Sequence, residues 1–314
     1  MHRLSVLFSV FFSVLSLKVF AAVDCKKIRF SNVGWTDVTA STAIASEILN
    51  SLGYETKSTE LSVPMTFASL KNKDIDVFLG NWMPTMTADI RPYQLQGSIE
   101  TVGTILRGAK YTLAVPSYVY DAGVKTFSDL NKFKDKFQGK IYGIESGNDG
   151  NRHILDIIKE NAFNLNDWKL IESSEQAMLM EVIQATKRNK WIVFLGWEPH
   201  PMNKLIKMQY LDGGDKYFGP HDGESTVYIN TRKGYSTECP NVIHFFKNFN
   251  LTVEDENQMM DMILARKMEP TKAAQKWLKE NVPKVEKWLI DVKLSNGTPV
   301  KIDELKNKFA SLSP

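Results

Sequence analysis

The sequence predicts an α/β protein of two lobes, each with a parallel-rich sheet carrying helices on both faces, joined by two crossing strands that act as a hinge. Three observations predict it. Residues 27–79 alternate strand, helix, strand, helix, strand. Residues 111–195 repeat the alternation. Two breaks in pattern, at Arg107 to Lys110 and at the polar Gly219 to Glu224, mark the crossings. The lobes then divide as 22–107 with 225–314 for the first and 108–224 for the second. With 314 residues and 43% hydrophobic content the chain can fill two cores.

In the first block, Lys27 to Phe30 reads as a short strand leading into Gly34-Trp35-Thr36-Asp37. Ile44, Ala45, Ile48, Leu49 and Leu52 fall at helical spacing, and Gly53 stops that helix. Tyr54 to Leu61 is a second strand and Pro64 to Lys71 a helix. Asp76 to Leu79 is a buried strand closed by Gly80-Asn81, which places Trp82 on the following loop before Pro84.

In the second block, Tyr111 to Val115 and Lys140 to Ile144 are strands, and Phe127 to Phe133 is helical with Ser128 as a cap. Arg152 to Glu160 is a helix after the loop Glu145 to Gly150. Trp168 to Glu172, Ser174 to Thr186 and Trp191 to Leu195 are strand, helix and strand. Ser225 to Asn230 returns as a strand. The rest is helical, over Val242 to Phe249, Val253 to Arg266, Pro270 to Asn281 and Lys284 to Trp288, and is expected to pack back on the first lobe.

The first residues read as a signal peptide, residues 1–21. His2-Arg3 supplies the charge, Leu4 to Leu17 the apolar run, and Val19-Phe20-Ala21 the small residues for cleavage near Ala22. Such a chain is expected to be exported, periplasmic and free of the membrane. Two cysteines, Cys25 and Cys239, in an exported chain suggest a disulfide. Two free thiols, or a lipid on Cys25, are the alternatives, and the charged Asp24 before Cys25 speaks against the lipid. Net charge is +3 with no basic stripe, so nothing points to nucleic acid.

One pattern recurs. Val77-Phe78-Leu79-Gly80-Asn81-Trp82-Met83-Pro84 and Val193-Phe194-Leu195-Gly196-Trp197-Glu198-Pro199 both read strand, Gly, Trp, Pro, one in each lobe. Trp35 follows the first strand, and Tyr111 opens the strand after the first crossing. Closing lobes would bring these rings together, beyond the carboxyl ends of the strands, where open α/β sheets bind ligands. A box of electron-rich rings suits a quaternary ammonium, which has no N–H to donate. Each ring contributes about 0.5–2 kcal/mol, and micromolar binding needs roughly 8 kcal/mol.

Several groups carry two readings. Asp37 is a helix N-cap or a ligand contact. Asn148 is a Gly-flanked turn residue or a ligand contact. Glu198 and His200 brace the loop that carries Trp197. His153, His200, His221 and His244 lack metal-ligand spacing, and Gly143 to Gly147 lacks G-x-S-x-G spacing. Hence neither catalysis nor a metal or other cofactor is expected. Met178, Met180, Met259 and Met260 read as core or helix filler, and Trp168, Trp191, Trp277 and Trp288 as packing.

Across nearly the whole mature chain the sequence resembles the choline-binding proteins of bacterial ABC importers, relatives of the glycine betaine binders, within the two-lobed periplasmic binding-protein fold (type II). The resemblance is carried by Gly34-Trp35-Thr36-Asp37, Gly80-Asn81-Trp82-Met83-Pro84, Glu145-Ser146-Gly147-Asn148 and Gly196-Trp197-Glu198-Pro199-His200-Pro201. It implies a cation held among Trp35, Trp82, Tyr111 and Trp197, a ligand hydroxyl held by Asp37 and Asn148, and a Cys25–Cys239 disulfide. It also implies a monomeric receptor, not an enzyme, that hands choline to a permease with its cytoplasmic ATPase. Acetylcholine and glycine betaine are the competing ligands. Asp37 would repel the carboxylate of a betaine, since like charges in a dry site cost several kcal/mol. An exported hydrolase of a choline ester or phosphocholine is the remaining alternative.

Overall fold

The computed structural model describes residues 24–311, so the expected signal peptide lies outside the described residues. Among the described residues, nine strands form one hydrogen-bonded sheet: β1 (Lys27–Asn32), β2 (Glu55–Glu60), β3 (Val77–Met83), β4 (Ile99–Pro116), β5 (Lys140–Tyr142), β6 (Lys169–Ile171), β7 (Phe194–Glu198), β8 (Met208–Tyr210) and β9 (Glu224–Arg232). The order is β2-β1-β3-β9-β4-β7-β5-β6, with β8 beside β4. Parallel pairs lie toward the two ends, where β1 pairs with β2 and β3, and β5 with β6 and β7. Every antiparallel pair involves β4 or β9. The sheet is therefore mixed, and its centre is built from the two strands that the sequence marks as crossings.

The helices that matter for the site are α1 (Thr36–Ser51), α2 (Val63–Asn72), α3 (Thr87–Leu95), α4 (Asp149–Lys159) and α5 (Glu175–Lys187). Toward the C-terminus follow α6 (Pro240–Asn248), α7 (Val253–Met260), α8 (Pro270–Glu280), α9 (Val282–Trp288) and α10 (Ile302–Ser311). Ile44, Ala45, Ile48 and Leu49 are buried, as the spacing requires. α7 and α8 pack on α1, and α10 packs on α8. Trp277 and Trp288 stack at 5.9 Å with planes 9° apart, and Phe249 meets Trp288 edge-on at 4.8 Å. These tryptophans fill the helical layer, as expected of packing residues.

The structure corrects several sequence-based boundaries. Gly80-Asn81 does not close β3. The strand runs on to Met83, pairing Asn81, Trp82 and Met83 with Tyr228, Val227 and Thr226 of β9 after an irregularity between Phe78 and Asn81. Such a bulge bends a strand without ending its ladder. Gly80 is needed there because a Cβ would come within 2.5 Å of the Val38 side chain on α1. Trp82 therefore stands on a strand rather than a loop, and Trp197 likewise lies within β7. Tyr111 sits mid-strand, because β4 continues unbroken through Arg107 to Lys110 by three register shifts against β9. The helix at Phe127–Phe133 is 3-10, and Thr126 rather than Ser128 caps it, in a reciprocal box with Asp129. The expected helix over Val253 to Arg266 widens to a π turn at Asp261–Ala265.

Cys25 and Cys239 are joined, so neither is left as a free thiol or lipid site. The bridge ties the chain just before β1 to the segment that follows β9. Beside it, buried Asp76 accepts from Arg29 N and Nε at 2.9 and 2.8 Å, from Arg29 Nη2 at 2.8 Å, and from Arg232 Nε at 2.7 Å. Arg232 also reaches Glu238, the neighbour of Cys239, at 2.5 Å. One carboxylate thus ties β1, the start of β3 and β9 to the disulfide.

Candidate ligand-binding site

Tyr111 on β4 lies directly opposite Trp197 on β7 in the antiparallel register, so both side chains leave the same face of the sheet. Their rings meet edge-to-face at 6.2 Å and 90°. Trp82 approaches Tyr111 from the other side at 5.9 Å and 63°. Gly150 in α4 lets Tyr111 lie this close, since a Cβ there would fall 2.1 Å from the phenol oxygen. Trp35 occupies the N-cap of α1, just after β1. With Asp37 and Ile144, these four rings line one small cavity. Each ring is between 3% and 6% exposed.

Of the six ligand-binding residues expected from the sequence, five line this cavity: Trp35, Asp37, Trp82, Tyr111 and Trp197. Asn148 stands behind it. Its side-chain oxygen accepts from Tyr111 OH at 3.0 Å and from Asn151 N at 3.0 Å, which makes it the N-cap of α4 rather than a free turn residue. Asp37 is not the cap of α1. It lies inside the first turn, and its Oδ2 accepts from Trp82 Nε1 at 3.0 Å. Ile144 was not singled out, and an apolar residue after a strand gives no signal of such a role.

Three of the four rings already have their polar donor committed. Trp35 Nε1 donates to Glu145 at 2.7 Å, Trp82 Nε1 to Asp37, and Tyr111 OH to Asn148. The lining thus offers π faces and a carboxylate, with no arginine or lysine. Carboxyls crowd behind it. Burial pushes Asp37 up to about 7, and nearby Glu175 adds to the rise. Burial likewise takes Glu145 to about 7 and Asp149 to about 6. Burial holds Glu256 well above the usual range, reinforced by Asp37 and Asp255. Its Oε2 has no partner. A cation in the cavity would relieve this crowding; an anion would compound it.

Besides the Trp35–Glu145 bond, two sets of bonds connect the segment around β1 and β3 with that around β5 to β7. Glu175, the first residue of α5, accepts from Thr36 N at 2.9 Å and from Thr36 Oγ1 at 2.7 Å. His200 reaches the same carboxylate through Nε2 at 2.9 Å, while its Nδ1 accepts from Met202 N, so Nε2 carries the proton. Of the two residues expected to brace the Trp197 segment, His200 packs against that ring, and its ion-pair partner is Glu175. The Trp197 ring rests against His200 at 4.7 Å, and Asn203 holds the Trp197 carbonyl. On the far side, Arg152 donates to Asp89 at 2.6 Å and to the Thr85 carbonyl at 3.0 Å. Glu145 stood in a motif that carries the resemblance but had no role there, and Glu175 was not singled out. One follows a strand and the other reads as a first-turn acid, which is ordinary helix chemistry.

Comparison with known proteins agrees with this geometry. The family profile for the substrate-binding domain of the ABC-type glycine betaine transport system matches residues 26–280. An ABC-transporter choline-binding protein in complex with choline is 52% identical, with a TM-score of 0.89 over 91% of this chain and 99% of that one. An ABC-transporter choline-binding protein in an unliganded semi-closed conformation, also 52% identical over the same shares, scores 0.83. Lactococcal OpuAC, in its closed-liganded conformation complexed with glycine betaine, is 27% identical and scores 0.75 over 83% of this chain and 98% of that one.

Proposed function

We propose a function from one premise: the chain belongs to the family of substrate-binding domains of ABC-type glycine betaine transport systems. Within that family it is a choline receptor, a binding protein rather than an enzyme, and it delivers its ligand to an ABC importer with its permease and ATPase. Trp35, Trp82, Tyr111 and Trp197 surround the trimethylammonium group. Asp37 accepts from the hydroxyl. Asn148, the other group expected there, acts mainly by holding Tyr111, because its oxygen is occupied. Residues 22–107 with 225–314 and residues 108–224 are the two lobes, and β4 and β9 cross between them. The leader directs the chain to the periplasm, where it works as a monomer. Among the described residues no helix is long and apolar enough to cross a membrane.

The observation that carries this reading is the cavity itself: four rings, three of them with the indole or phenol donor already bonded to a partner, and one buried carboxylate. A betaine needs donors for its carboxylate. Glycine betaine remains the second reading because the 27% identical lactococcal relative holds it. Calorimetric titration with choline, acetylcholine and glycine betaine separates them. Choline is expected to bind tightest, and Asp37→Asn to weaken it about tenfold or more while narrowing the gap to betaine, as loss of a hydrogen bond to a charged group requires. A wild-type chain that prefers betaine would refute the ligand assignment.

Affinity should also depend on pH. A cation beside Asp37 favours its ionised form, so binding below about 7 must expel a proton. Choline affinity is expected to rise with pH up to that value and then level off, with a slope of up to about tenfold per unit for one proton. Glu145 and Asp149 add to the slope. The sign for the unliganded chain is opposite. A carboxyl raised by folding stabilises at low pH, and that stability fades as pH climbs from the ordinary carboxyl range through about 7. Titrations in buffers of different ionisation enthalpy measure the proton release directly; none below neutrality would remove this linkage.

A further inference from the structure

We propose that Glu145 and Glu175 are positioning residues that clasp the Trp35–Thr36 step across the cleft and set how long a captured choline stays. The inference rests on the choline reading above. Neither carboxylate lines the cavity, but Trp35 does. Glu145 holds the indole by its one polar atom, so the pitch of a cage ring is set from the opposite lobe, 110 residues away in sequence.

Glu175 does the equivalent for the backbone. Trp35 is the N-cap of α1 and supplies no side-chain cap. The first amide of the helix, Thr36 N, would then be unsatisfied. Glu175 accepts from it and from the Thr36 hydroxyl, 139 residues away, and so caps α1 from across the cleft. Glu175 is itself held by His200, against which Trp197 lies. Two cage rings, Trp35 and Trp197, are thereby linked to the same clasp, one by sequence neighbourhood and one through His200.

Opening the cleft breaks the bonds from Trp35 Nε1, Thr36 N and Thr36 Oγ1, all made to carboxylates. Bonds to charged groups are among the stronger ones. Ligand entry precedes the clasp, whereas ligand escape must undo it. The clasp therefore governs dissociation and leaves association nearly untouched.

Stopped-flow kinetics with choline test this on wild type, Glu145→Ala, Glu145→Gln and Thr36→Val. Dissociation is expected to quicken about tenfold in Glu145→Ala and severalfold in Thr36→Val, with association within about threefold of wild type. Glu145→Gln keeps an acceptor for the indole and is expected to restore most of the lost residence time. Thr36→Val decides the matter if Glu145→Ala fails to fold. Wild-type binding with unchanged dissociation in the folded variants, or affinity lost through slower association, overturns the clasp alone. A wild-type chain that takes up no choline overturns the ligand reading and the clasp with it.

Discussion

Trp82→Ala and Trp197→Ala are each expected to weaken choline binding at least tenfold while leaving the fold intact. A desolvated ring over a cation is worth about 2 kcal/mol, and that alone approaches a thirtyfold change. Each substitution also removes more than a ring. Trp82→Ala leaves the Asp37 carboxylate without its indole donor. Trp197→Ala takes away the edge-to-face partner of Tyr111 and the surface against which His200 packs. Both rings border a cavity, so neither sits at the centre of a filled core, and folding should survive. Circular dichroism checks that point, and calorimetry gives the affinity. Trp197→Phe retains a π face and should lose less than Trp197→Ala. Unchanged affinity in both alanine variants would refute the aromatic cage, because no other groups lining the cavity could replace the rings.

Asp76→Ala should cause the largest loss of stability, about 3–5 kcal/mol, the usual cost of removing one partner from a buried ion pair. Arg232 decides the size of the effect. Its side chain is only 4% exposed, so it cannot recover by hydration, whereas that of Arg29 is 41% exposed and can turn to water. Burial raises the Asp76 carboxyl, but hydrogen bonds from Arg29 and Arg232 outweigh it and leave the group below its ordinary value. A depressed carboxyl stabilises above its unfolded pKa and loses that contribution as pH falls, so acid should weaken the same junction. Urea denaturation of Asp76→Ala beside Asp74→Ala, an exposed neighbour, measures the difference. Equal destabilisation of the two variants would show that the network adds nothing beyond surface chemistry.

The cage was legible because aromatic side chains advertise themselves in sequence. Trp82 and Trp197 each follow an apolar run and a glycine and precede a proline, and that repeated order survives although both lie on strands, not loops. Tyr111 could be found only through its place after a predicted crossing. α3 escaped because Ile90 is its single buried residue, so no apolar stripe marks it, and Pro92 argues against a helix. β4 looked broken because polar residues and Gly108 interrupt its pattern, yet its ladder to β9 simply shifts register there. Asp76 looked like the first residue of a strand; its role as the anchor of two arginines depends on β9, which arrives 156 residues later.

The sequence by itself determined the α/β alternation and supplied the four rings, since each rests on local periodicity or on the identity of one side chain. Only the tertiary structure decided which carboxyl meets which donor. Glu145 finds Trp35, Glu175 finds Thr36 and His200, and Asp37 finds Trp82. Hydrogen bonds act over about 3 Å, whereas these partners lie between 25 and 139 residues apart along the chain. No local pattern encodes such a meeting; it exists once the sheet and its helices have brought the segments together.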